Sequence, residues 1–138
     1  MARTAGAGSV ALLIAVAIPS AAQAASDPEY AGCSTTGARG FLKDVQLTDE
    51  GPAGKHAVHI EITDTLADGH NARVRYLTKT GTGTIRYWSW HANNVGANTT
   101  VTVDTTAQDS AHGIFNAGIQ VARAVGSDVS NSTTCWVA

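Results

Sequence analysis

The sequence predicts an all-β protein, an antiparallel β-sandwich of about seven strands closed by one disulfide. Three observations lead there. Short segments alternate apolar and polar residues and are separated by Gly, Asn and Asp turns. Charged residues make up only 14% of the chain and hydrophobic ones 43%, so solubility rests on Thr, Ser, Asn and Gly, as in many extracellular β proteins. The two cysteines, Cys33 and Cys135, lie near opposite ends of the region that follows an N-terminal leader.

The leader reads as a secretory signal. Arg3 and the amino terminus supply positive charge, residues 10–18 form a continuous apolar run, and Pro19 and Ser20 break it. Ala22-Gln23-Ala24 places small residues where a signal peptidase reads them, so cleavage is expected after Ala24. The apolar run is about half the ~20 residues of a membrane span. The expected organisation is therefore a signal peptide over 1–24 and a single secreted domain over 25–138, with no membrane attachment after cleavage. In an oxidising compartment, Cys33 and Cys135 are expected to pair as a structural staple.

Residues 25–38 are rich in Gly, Ser and Thr and are read as an entry segment held at Cys33. The first strand is expected over 41–48, with Phe41, Val45 and Leu47 on one face. A turn follows at 49–54. Residues 57–64 alternate without a break: Val58, Ile60 and Ile62 on one side, His59, Glu61 and Thr63 on the other. Gly81-Thr82-Gly83 joins 73–80 to 84–91 as a β-hairpin. Residues 99–105 place Val101 and Val103 inward. Residues 117–125 read as a strand, with a helix over 114–125 as the alternative that Gly118 disfavours. A polar loop over 126–133 and a short last strand at 135–137 complete the list.

The net charge is −2. Without a basic stripe, nucleic acid is excluded as the main partner. The local run Arg73, Arg75, Lys79 and Arg86 is read as a solvated strand face balanced by Glu61 and Asp64.

The candidate ligand-binding residues are Arg86, Tyr87, Trp88, Trp90 and His91. On a regular strand Arg86, Trp88 and Trp90 share one face, and Tyr87, Ser89 and His91 the other. Two indoles beside an arginine suit stacking against sugar rings. The simpler reading places both tryptophans in the core, which a chain with three Trp, three Tyr and two Phe needs to fill. The five histidines lack metal-ligand spacing. His56 and His59 fall on opposite strand faces, and Asp64, Asp68, Gly69 and His70 only loosely resemble a calcium loop. No metal and no cofactor is expected. Asp109-Ser110-Ala111-His112 is read as a loop with Asx-type hydrogen bonds rather than as part of a catalytic triad.

The expectation is a non-catalytic extracellular binding module for carbohydrate or a cell-surface polymer. The alternatives are a secreted inhibitor acting on an extracellular protein through loops 49–56 and 92–98, and a small hydrolase using His91 or His112.

Overall fold

A computed structural model describes residues 29–45 and 55–137. The expected leader, its cleavage point after Ala24 and the turn at 49–54 lie outside the described residues. The strands are β1 Glu29–Thr35, β2 Ala38–Val45, β3 Lys55–Asp64, β4 Asn71–Lys79, β5 Ile85–Asn93, β6 Thr99–Gln108, β7 Asn116–Val125 and β8 Asp128–Trp136. They form two four-stranded antiparallel sheets, ordered β1-β2-β3-β6 and β5-β4-β7-β8. The described residues contain no helix, so none among them could cross a membrane as a helix.

The sheets stack so that β1 lies over β7 and β8, β2 over β7 and β4, β3 over β4 and β5, and β5 beside β6. The chain changes sheet after β3, after β5 and after β6. At one lateral edge, Cys33 of β1 and Cys135 of β8 form a disulfide with a Cα–Cα distance of 5.6 Å. The staple expected from the sequence therefore ties the edge of one sheet to the edge of the other.

The core follows from strand alternation. Leu42, Val58, Ile60 and Ile62 point inward from the first sheet, and Val74, Tyr76, Ile119 and Val121 from the second. Each such side chain stabilises the fold by about 1.5–3 kcal/mol when fully buried. Alanines 31, 38, 72, 107 and 117 fill the narrower parts. Gly40 faces Val74 and Val121 so closely that an added Cβ would lie 2.7 and 2.8 Å from their methyl groups. This glycine is thus required by the approach of the two sheets near the disulfide.

Three expectations change. The entry segment contains β1, because Ala31 and Cys33 alternate into the core beside β2. The expected loop at 126–133 is mostly β8, a polar edge strand whose hydrogen bonding to β7 replaces the missing apolar pattern. On β2, Leu42 occupies the core, while Phe41 lies outside with Lys43 Nζ 5.6 Å from its ring centre.

Candidate functional site

β5 is the edge strand of the second sheet, paired only with β4. The pairing runs Lys79 with Ile85, Thr78 with Arg86 and Leu77 with Tyr87, then resumes with Arg75 opposite Trp90 and Val74 opposite His91. Trp88 and Ser89 together stand opposite Tyr76, so β5 carries a β-bulge. The extra residue rephases the strand. Tyr87 and Trp90, three residues apart, both reach the outer face, while Trp88 turns toward the core.

This corrects the expectation that Arg86, Trp88 and Trp90 share a face, since strict alternation fails across a bulge. Trp88 packs against the core, its ring centre 6.4 Å from that of Tyr76. Its Nε1 donates to Thr78 Oγ1 at 3.1 Å. Arg86 stacks on Trp88 at 4.5 Å and approaches Asp109 Oδ2 at 3.7 Å. His91 and Trp88 line a small pocket of about 190 Å³ between β5 and β6.

On the outer face, the Arg75 guanidinium carbon is 4.2 Å from the Tyr87 ring centre and 4.5 Å from that of Trp90. Arg75 Nε donates to Gln120 Oε1 at 2.8 Å, which fixes the guanidinium on β7. Gln120 Nε2 in turn donates to Ser132 Oγ of β8 at 3.4 Å. One register line below, Tyr87, Leu77, Gly118 and Trp136 are successive cross-strand neighbours over all four strands. Leu77 points away from the core cluster yet is fully buried. Gly118 makes room for an indole: a Cβ there would sit 2.9 Å from Cε3 of Trp136 and 2.6 Å from a backbone oxygen. The result is an outer face on which Tyr87 and Trp90 flank Arg75 and Trp136 covers Gly118, with Tyr87 at 52% exposure. Gln120 and Trp136 are not among the residues singled out by sequence, and Arg75 is there read only as part of a solvated basic run. Their only signal is register, which requires knowing that β4 lies between β5 and β7.

The charges also sort differently than expected. Arg73, Arg75 and Lys79 alternate on the outer side of β4, but Glu61 and Asp64 belong to the other sheet. Glu61 accepts a hydrogen bond from Lys43 Nζ at 2.6 Å. Asp64 is 2% exposed and accepts from the Leu66 amide at 3.1 Å. Neither balances the β4 cations.

A cleft of about 810 Å³ opens at one end of the sandwich, between the β4–β5 and β6–β7 connections. Thr80, Thr82, Thr84, Arg86, Tyr87 and His112 are among its walls. Asp109 Oδ1 accepts from the Ala111 amide at 3.2 Å, the His112 amide at 3.0 Å and the His112 ring at 3.2 Å. Desolvation of the Asp109 carboxyl acts to raise its pKa, but the bonds from His112 and Ala111 outweigh it and hold the pKa below the usual 3.8. This is the Asx-turn geometry expected for the loop.

The described residues contain no cluster of three or more His, Cys, Asp or Glu side chains placed to hold a metal ion. In the loop that loosely resembles a calcium site, Asp68 pairs with the Arg123 guanidinium and with His70 Nδ1. His56 is buried, whereas His59 is on the outer face, 2.6 Å from Asp104, so the two do lie on opposite sides of β3.

No family model matches the chain, and no match was found among curated proteins or solved structures.

Proposed function

We propose that this is a secreted, non-catalytic binding module that holds a glycan on the outer face of the β5-β4-β7-β8 sheet. The observation that carries the reading is the Tyr87–Arg75–Trp90 stack, continued across the sheet to Trp136 over Gly118. Aromatic rings offer flat apolar surface to the C–H faces of sugars. Arg75 and Gln120 supply polar groups between the rings, and their mutual hydrogen bond reduces the rotamer entropy lost on binding. Tyr87 and Trp136 are separated by three strand spacings, roughly 14 Å, a span suited to several sugar units rather than one. Secretion is supported by the leader over 1–24 and by the pairing of both cysteines.

The test is a titration of cell-wall and plant polysaccharides against intrinsic tryptophan fluorescence. A saturable change is expected with at least one polymer. Tyr87→Ala and Trp90→Ala should each weaken binding by about tenfold or more, with urea midpoints close to wild type. A flat response across the panel, or unaltered affinity in both variants, overturns the reading.

A further inference from the structure

The outer face that carries the aromatic residues also carries a row of positive charge. Arg73, Arg75 and Lys79 lie along one side of β4, two residues apart save for the intervening Leu77. Among the described residues, no ion pair involves any of the three. Arg73 Nε instead donates to Asn71 Oδ1 at 3.3 Å, and Arg75 Nε to Gln120. Arg86 does not belong to this row: it stacks on Trp88, on the other side of β5, 3.7 Å from Asp109 Oδ2.

The described carboxylates lie elsewhere. Glu61 and Asp104 are on the outer face of the opposite sheet, where Lys43 and His59 pair with them. Asp64 is buried, and Asp68 is bound to Arg123. Asp128, at the start of β8, is the described acidic residue nearest in sequence to this face, opposite Val125 rather than the β4 cations. Exposed Arg39 and Lys55 also lie on that first sheet, so its outer face carries both signs, whereas the described charges on the outer side of β4 are all positive. Like charges two residues apart on one strand repel each other, and a polyanion laid along them would relieve that repulsion.

We infer that the ligand is an acidic polysaccharide, its carboxylate or sulfate groups meeting Arg73, Arg75 and Lys79 while its rings lie on Tyr87, Trp90 and Trp136. This rests on the proposed platform and adds the ligand's charge to it. Single-stranded nucleic acid also stacks on aromatic residues beside cations. Its closely spaced phosphates call for a longer basic track than one strand presents, so a glycan with charges set one ring apart fits the face better.

The experiment compares polygalacturonate with its fully methyl-esterified form, which has the same backbone without the charge. Dextran sulfate and a single-stranded oligonucleotide complete the set, and the readout is tryptophan fluorescence at low and high salt. Either acidic glycan is expected to bind more than tenfold more tightly than the methyl ester, and the stronger of the two identifies the anion. Raising salt to about 1 M, where the screening length is about 3 Å, should remove most of the difference. Arg73→Gln and Lys79→Gln, both outside the aromatic stack, should each reduce affinity for the acidic glycan about two- to fivefold and leave affinity for the ester unchanged. Equal binding of acid and ester overturns the inference and leaves the platform standing. Binding of no glycan at all removes both, as does tighter binding of the oligonucleotide than of either acidic glycan.

Discussion

Replacing Asn93 with leucine tests how the end of β5 is locked to the rest of the sandwich. Asn93 is fully buried. Its Nδ2 donates to Ile62 O at 3.2 Å, Thr99 O at 2.8 Å and Thr99 Oγ1 at 3.1 Å. Its Oδ1 accepts from the Val95 amide at 3.0 Å and from Thr99 Oγ1 at 3.3 Å. One side chain therefore joins β3 of one sheet, β5 of the other and the connection into β6. Leucine is close in size but satisfies none of these groups. Losing a partner costs a buried polar group about 1–3 kcal/mol. Three backbone groups are affected, giving roughly 3–5 kcal/mol at the low end of that range. The apolar side chain returns about 1.5–3 kcal/mol through its own burial. The net loss should be about 2 kcal/mol, a large part of a small domain's stability. In urea the midpoint should fall by about 1–2 M at unchanged slope. Asn93→Asp should be equally destabilised at neutral pH, where a second carboxylate oxygen would face the carbonyls of Ile62 and Thr99, and should recover in acid once protonated. A midpoint shift for Asn93→Leu below about 0.3 M would refute this account of the crossover.

Two further predictions concern stability. The Cys33–Cys135 bridge closes a loop of 102 residues, so the double variant Cys33→Ala/Cys135→Ala should lose about 2–5 kcal/mol by chemical denaturation; a loss under about 1 kcal/mol would mean that the sheets hold each other without it. The depressed pKa of Asp109 makes its contribution fully present above the usual value of 3.8 and lost as pH falls through the lower folded value. Thermal melts through this acidic range should therefore show a component of acid destabilisation that Asp109→Asn lacks, and identical profiles for the two proteins would argue against it.

Much of the fold is legible without coordinates, because burial on one side of a sheet imposes a period of two on the chain. Val58, Ile60 and Ile62 alternate with His59, Glu61 and Thr63 in the sequence as they do on β3. The hairpin around Gly81-Thr82-Gly83 announces itself in the same way, and the cysteine pair indicates one closing bridge. Legibility ends where the apolar period is absent. β8 exposes most of its length and owes its existence to pairing with β7, so its composition resembles that of a loop.

The amino-acid sequence by itself determined that this is an all-β protein with two cysteines available to join, because alternation and cysteine count are local or compositional properties. Only the tertiary structure decided which aromatic residues share a surface. The bulge opposite Tyr76 placed Tyr87 with Trp90 and sent Trp88 inward, and the order of strands brought Arg75 and Trp136 beside them. It also separated Glu61 and Asp64 from the cations that they precede in the chain. Strand pairing joins residues far apart in sequence, and one inserted residue reverses the facing of those that follow it.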